Sequence, residues 1–467
     1  MNREALATHR LDALSLDSRA FQWFLRLWAI AAFAHFVGNP PALRTGQVPL
    51  ELTLVALVTA LSALAVMVKP HLRGPVFALS VLEIATTLLE APIVGNHQMI
   101  ASLVSVVLLW AVFQKDPWAA FAPGGRGLIL VGYGFAAFSK LNSGFFDPTT
   151  SCAVTYGNRW LQSFHLPTLA PGSALALVPI WMTAVVELAV PLLLLVPPTR
   201  RWGVGLAFVF HFFVSLDFRQ HLYDFSALLF ALFSLFLPDV VLLQLGQLPK
   251  PRPLRPLWLA LGTLASVFVA AALLPPSRGS HWLLLDGPFL VWGPWATWLL
   301  ARTLLAVVRL GPEQPLGRPT PLAWAVIALA FLNGLAPYLE LKTASSFNMY
   351  ANLVTANGAS NHFLIPRTAH LTDTQAEPYL VLSTTDEGLE QYVDAGWAIP
   401  RERLLDYLAQ HPDAGVTVAR LGREREERLS GAQDGVRLSW WKERFQVFRS
   451  VDVGSPARCQ LQWLPAY

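Results

Sequence analysis

Charge is what this chain lacks most. Asp, Glu, Lys and Arg supply 14% of its 467 residues, where soluble globular domains carry about 25%. With 54% hydrophobic residues, 17 Trp and a mean hydropathy of +0.45, that shortage excludes an ordinary soluble fold and implies a membrane lipid bilayer as the partner. Cysteine is scarcer still: Cys152 and Cys459 are the two present, too few for a disulfide scaffold or a Cys-rich metal site. A Walker loop, a dinucleotide fingerprint and an HExxH pair are also missing, so the sequence calls for no nucleotide and no metal. The net charge of +4 comes without a basic cluster, which argues against nucleic acid. The first 20 residues hold Arg, His and Asp without a small-residue cleavage pattern, so the first apolar span reads as a retained helix.

What is present is apolar sequence, up to about residue 340. Eleven spans approach the ~20 residues that cross a hydrocarbon core: 20–38, 50–68, 75–93, 97–113, 126–142, 174–197, 202–217, 222–240, 256–274, 286–308 and 320–338. Only "EAPIVGNHQ" separates the third from the fourth, and only "LDFRQHLYD" the seventh from the eighth. Short cytoplasmic loops are enriched in Lys and Arg. The N-terminus and the even-numbered loops hold fourteen such residues (Arg3, Arg10, Arg19, Lys69, Arg73, Lys115, Arg126, Arg200, Arg201, Lys250, Arg252, Arg255, Arg309 and Arg318), against Arg44, Arg159, Arg219 and Arg278 in the others. The reading is an all-α polytopic membrane bundle of about eleven transmembrane helices, with a cytoplasmic N-terminus (1–19), a bundle (20–340) and a small extracytoplasmic α+β tail (345–467). The Pro-rich "LPKPRPLRP" joins spans eight and nine as a stiff link.

In the tail, "EPYLVLSTT" and "GVTVARLG" read as strands, "EGLEQYVDAG" and "PRERLLDYLAQH" as helices, and "RLSWWKERFQVFRSV" as a late strand pair. Both cysteines fall on the outer side, where thiols oxidise. A bridge tying tail to bundle and two unpaired thiols both remain open.

The ionisable residues inside the spans are the candidates for chemistry. His97 opens the fourth span after Asn96, and Lys140 closes the fifth. His211, followed by Asp217, lies in the outer part of the seventh, and Glu187 lies near the middle of the sixth. Structural roles compete: Lys140 can snorkel to the headgroups, His97 can simply start a helix, and Glu83 and Glu90, seven apart on one face, serve as well for helix–helix contact. His97, Lys140 and His211 nevertheless converge at similar depth, which predicts a shared polar pocket with Asn96, Glu187 and Asp217 in support. An ammonium withdrawn from water favours its neutral form, and a neutral amine is a general base. A nearby imidazole can stabilise the anion so formed. Residue by residue, this leads to proton chemistry on a membrane-soluble or membrane-adjacent substrate.

Four passages carry a resemblance: "GNHQMIASLVSVVLLW", "GYGFAAFSKLNSGFF", the run from "ELAVPLLLLVPPTRRW" through "FHFFVSLDFRQHLYDF" to "LFLP", and "FNMYANLVTANGASNHFLIP". In this order they resemble the horizontally transferred transmembrane (HTTM) family, which includes the vitamin K-dependent gamma-carboxylase, over roughly residues 15 to 366. The resemblance implies a multi-pass protein of a bacterial inner membrane. It implies that Lys140 deprotonates reduced vitamin K or a similar quinol, with His97 assisting. Oxygen and carbon dioxide would be co-substrates, and a Glu-containing protein or peptide would be carboxylated. Two other readings stand beside it: a different quinone- or lipid-dependent membrane enzyme, and a non-catalytic scaffold whose tail binds a partner.

Overall fold

Helices form where the apolar stretches fall. The computed structural model describes residues 16, 18–38, 50–218, 221–246, 287–309, 315–423 and 425–460; the span read at 256–274, the Pro-rich link and nearly all of 1–19 lie outside them. The bundle comprises α1 (Arg19–Gly38), α2 (Leu50–Val68), α3 (Arg73–Glu90), α4 (Asn96–Ala111), α5 (Pro117–Phe138), α6 (Cys152–Ser163), α7 (Leu177–Leu195), α8 (Arg200–Ser215), α9 (Tyr223–Ser234), α10 (Asp239–Gly246), α11 (Phe289–Arg309) and α12 (Pro321–Leu335). Arg19–Gly38, Leu50–Val68, Ala174–Leu195 and Phe289–Arg309 are long and apolar enough to cross a membrane, while α4, α9 and α12 are apolar but shorter. Among the described residues, four helices are therefore long and apolar enough to cross, which does not confirm the eleven spans read from hydropathy. The outward faces of α2, α7 and α11 carry exposed Leu54, Leu61, Val185, Leu192, Leu305 and Val308, a surface suited to lipid.

The central helix is α5, which packs against α4, α7, α9 and α12. Its start was read too late. The apolar run at 126–142 marks only its second half, because the Asp116 carboxylate accepts from the Ala119 amide at 3.0 Å and Pro117 occupies the first turn, a strong N-terminal signal. Arg126 is consequently inside the helix and buried, donating to the carbonyls of Leu235 at 2.7 Å, Pro315 at 3.1 Å and Leu316 at 3.1 Å. Buried Arg200 likewise donates to Leu194 O at 2.7 Å. Neither is a loop cation, so the loop bias becomes twelve against four. Gly132 allows the close approach of α4: a Cβ there would lie 2.5 Å from Ile100 Cδ1.

The tail is a five-stranded antiparallel sheet in the order β6-β5-β3-β4-β7, formed by β3 (Tyr379–Thr384), β4 (Trp397–Ile399), β5 (Gly415–Arg420), β6 (Glu426–Ser430) and β7 (Val451–Asp452), after a small hairpin of β1 (Thr355–Ala356) and β2 (Ala359–Ser360). Alternate residues Tyr379 and Val381 of β3 and Val416 and Val418 of β5 share one core with Leu389 and Tyr392 of α13 (Glu387–Ala395) and Leu404 and Leu408 of α14 (Arg401–Gln410). The late strand pair is not formed. Trp440–Phe445 is a short helix, α15, because buried Arg403 donates to the carbonyls of Lys442 at 2.9 Å, Glu443 at 3.1 Å and Gln446 at 2.6 Å, satisfying the end of the turn. Only Val451–Asp452 pairs as a strand.

The tail is locked onto one end of the bundle. Cys152 at the start of α6 is disulfide-bonded to Cys459. Buried Asn352 accepts from Cys152 N at 2.8 Å and donates to Thr150 O at 2.9 Å and Ala457 O at 3.0 Å. Arg444 of α15 donates to Leu88 O at 2.9 Å and Ala91 O at 3.1 Å, at the end of α3. Removing the Arg126 guanidinium would leave three carbonyls without their donor, so Arg126→Ala should cost about 2–4 kcal/mol. Denaturant unfolding of the full chain in a fixed detergent checks this; an unchanged midpoint would show that Arg126 is not a structural tie.

Candidate functional site

Two short sequence motifs place the polar residues at the tail-side end of the bundle. In "GNHQ", Gly95 precedes α4, and a Cβ there would sit 2.8 Å from His97 Cε1, so glycine lets the imidazole fold back. Asn96 accepts from Phe347 N at 2.6 Å, His97 Nε2 lies 3.1 Å from Asp224 Oδ2, and Gln98 Nε2 donates to Glu90 Oε2 at 3.0 Å. In "SKLN", α5 has just ended. Asn142 closes the turn by donating to Ser139 O at 2.8 Å and accepting from Phe145 N at 2.9 Å, and Lys140 turns inward.

Lys140 is only 5% exposed. Its Nζ lies 2.7 Å from Glu187 Oε2 of α7 and donates to Ala136 O and Met349 O, each at 3.2 Å. Tyr133 of α5, seven residues earlier, has its hydroxyl 3.1 Å from His211 Nε2. The His211 ring stacks on Phe233 at 5.9 Å and meets the Phe225 edge at 5.3 Å. This half of the site can hold and pass a proton between an amine and a carboxylate, with a phenol and an imidazole beside them.

His97 belongs to a second cluster. Asp224 Oδ2 also lies 3.2 Å from His35 Nδ1, and His35 Nε2 lies 3.5 Å from Glu90 Oε2 and 2.6 Å from Gln98 Nε2. His35, His97 and Asp224 each present a ligand atom, all within 4.8 Å of one another, so these three could hold a metal ion. They line an internal space of about 40 Å³ with Glu83, Glu90 and Gln98, room for a few waters. No contact joins Lys140 to His97. Phe225 stands between the clusters, its ring 5.7 Å from that of His97 and 5.3 Å from that of His211. Of the residues read from sequence, Lys140, Glu187 and His211 therefore come together, and His97 lies across an aromatic ring from them. Asn96 anchors the covering segment, and Asp217 accepts from Ser163 Oγ at 3.2 Å, holding the α8–α9 turn to α6.

His35, Tyr133 and Asp224 were missed. Asp224 sits in "LDFRQHLYD", which reads as a separator until α9 is seen to start at Tyr223. His35 ends the first span at the same depth as His97, and the same depth argument applied to it would have found it.

Residues 343–365 cover this end. Ser345, Phe347, Tyr350 and Asn352 all have positive φ, near 52–55°, costly for Phe and Tyr; side chains from the bundle hold the segment there, including the Asn96 bond to Phe347. His362 Nε2 faces Phe138 O at 2.9 Å, and its Nδ1 accepts from Leu364 N at 3.1 Å and Ile365 N at 3.2 Å, an arrangement only the neutral Nε2–H ring satisfies. No family model, curated protein or solved structure matches the chain. Fold and site define a mostly helical protein with membrane-grade helices, a buried two-part polar centre and a disulfide-tied α+β tail.

Burial holds His362 below the usual imidazole range. Its folded form thus resists protonation more than its unfolded form, so the stability it contributes is present above about pH 6.5 and is lost as pH falls. The thermal midpoint should drop between about pH 7 and 5, and His362→Gln should flatten that drop. An unchanged slope in the variant would assign the acid sensitivity elsewhere.

Proposed function

We infer that this chain is an integral-membrane enzyme that moves a proton at Lys140 on an amphiphilic, weakly acidic substrate. The specific reaction the HTTM resemblance favours is oxygenation of reduced vitamin K, or a related quinol, coupled to carboxylation of a protein glutamate. One observation carries the reading: a lysine at the end of an apolar helix is buried and paired with a carboxylate from another apolar helix. Snorkelling would leave its head in water, so that explanation does not describe Lys140.

The residues present fit a quinol hydroxyl. Lys140 Nζ is the acceptor once neutral, Glu187 takes or returns its proton, and Phe145, 6.0 Å from the amine, gives an apolar wall. The oxygenated quinol would supply the strong base that removes a γ-proton from glutamate, after which carbon dioxide adds to the carbanion. His97 acts from across Phe225, and Tyr133 and His211 are the nearest groups to stabilise an anion. The finer membrane reading, eleven crossings with a cytoplasmic N-terminus and the tail outside, rests on the twelve-to-four loop bias and on the oxidised Cys152–Cys459 pair.

A second reading has its own support. Lys140 caps the carbonyls of Ala136 and Met349, which a purely structural lysine would also do. Arginine can cap carbonyls but stays charged at any accessible pH. Lys140→Arg and Lys140→Ala should therefore both lose about 100-fold or more of the rate in a carboxylation assay with reduced vitamin K and a Glu-rich peptide, with His97→Ala less severe. An active Lys140→Arg variant would return Lys140 to the capping role. Quinol turnover without carboxylation would indicate another quinone- or lipid-dependent reaction, and no turnover by the unaltered chain would favour the scaffold.

A further inference from the structure

We propose that His35, His97 and Asp224 bind a divalent first-row transition metal ion, zinc or ferrous iron, at the tail-side end of the bundle. The three donors come from three helices, α1, α4 and α9, and converge on one side of the internal space that Glu83 and Glu90 also line. A tetrahedral ion with bonds of about 2.0–2.1 Å holds its ligand atoms about 3.3 Å apart. His97 Nε2 and His35 Nδ1 lie 3.1 and 3.2 Å from Asp224 Oδ2, near that spacing.

The surroundings also match a ligand set. A metal-bound histidine commonly turns its second ring nitrogen to a carboxylate; the Nε2 of His35 faces Glu90 Oε2 at 3.5 Å, and the Gln98 amide nitrogen, a donor 2.6 Å from that ring atom, has to turn aside when an ion on Nδ1 sets the Nε2–H tautomer. Asp224 is oriented through its other oxygen, which accepts from Phe225 N at 2.6 Å. Two imidazoles and one carboxylate suit zinc, iron or cobalt, whereas magnesium and calcium prefer all-oxygen shells. Three protein ligands leave coordination positions open toward the internal space, where water or a small ligand fits. Trp28, Phe36 and Leu228 give that space apolar walls. The competing account is a hydrogen-bonded network joining α1, α3, α4 and α9, with no ion involved. This site shares His97 with the carboxylase reading but none of the Lys140–Glu187 pair, and its readout is metal content, so it stands or falls apart from that reading.

The test uses the full chain in detergent micelles. It would be stripped with a chelator, dialysed, and titrated with Co²⁺ while visible d–d absorption is followed, with zinc and iron content of the unstripped protein measured by elemental mass spectrometry. The unaltered chain should take up about one ion with the spectrum of a four- or five-coordinate site. Asp224→Asn keeps the side-chain shape and one acceptor oxygen for the histidines while giving up the bond from Phe225 N, so it should fold, by circular dichroism, yet bind at least ten-fold more weakly. Glu90→Gln, which touches the ligand His35 and not the ion, should weaken binding about 10–100-fold. An unaltered chain that carries no zinc or iron and takes up no cobalt would overturn the proposal whatever the variants do. Equal cobalt affinity in Asp224→Asn and the unaltered chain would overturn it as well.

Discussion

The arrangement depends on one ion pair, Lys140 with Glu187, set between two apolar helices. At 2.7 Å and an effective dielectric of about 20, the gross attraction is about 6 kcal/mol. Withdrawing each ion from water costs several kcal/mol, so the pair comes near to breaking even as a source of stability. Apolar residues at both positions would hold the helices at least as well. Breaking the pair is different, because a lone charge would then be left among the Phe, Met and Leu side chains of the bundle, and neither charge can be given up alone. That asymmetry is what suits the pair to the proposed proton transfer: a proton moved from Lys140 to Glu187 would leave two neutral groups and no stranded charge.

The rest of this end of the bundle follows from holding that pair dry. The central helix α5 carries Tyr133 and ends just before Lys140, and its glycine at position 132 lets α4 approach so that the Asn96–Gln98 motif lies beside it. The covering segment supplies Met349 O to the amine and is pinned by Asn96 in the bundle. Positive φ at Phe347 and Tyr350 shows how much backbone freedom is given up to close this end. The disulfide and the Asn352 bonds then fix the tail over it. Phe225 divides the polar interior into a lysine–glutamate–tyrosine–histidine half and a histidine–aspartate half, with ring contacts on both sides.

Much of this was legible in the sequence, and the failures have physical causes. Apolar runs of about 20 residues locate helices because a buried helix must satisfy its own backbone, and a helix occupies each such run that falls among the described residues. Their ends were less legible. Hydropathy cannot see a capping Asp-Pro, so it places the start of α5 at 126 instead of Pro117 and makes Arg126 a loop cation, whereas it is an internal donor to three carbonyls. Depth along the spans singled out Lys140, His97, His211 and Glu187. It could not say which would touch, because rotation of each helix about its axis is set by packing, so His97 was grouped with Lys140 although its partner is Asp224. Asp224 itself was hidden in a polar stretch that looked like a loop. In the tail, "RLSWWKERFQVFRSV" has the aromatic content of a strand, but exposed Trp440 and Trp441 do not alternate into a core, and Arg403 stabilises a helical turn there instead.

The most direct test of this account is a double-mutant cycle on the ion pair, read by denaturant unfolding of the full chain in lipid nanodiscs. Lys140→Met and Glu187→Met should each cost about 3 kcal/mol, by leaving the other charge unpaired and buried. The double variant should lose far less than the sum of the two, with a coupling of about 2 kcal/mol or more. Additive losses, with coupling near zero, would contradict the claim that Lys140 and Glu187 act as one buried unit.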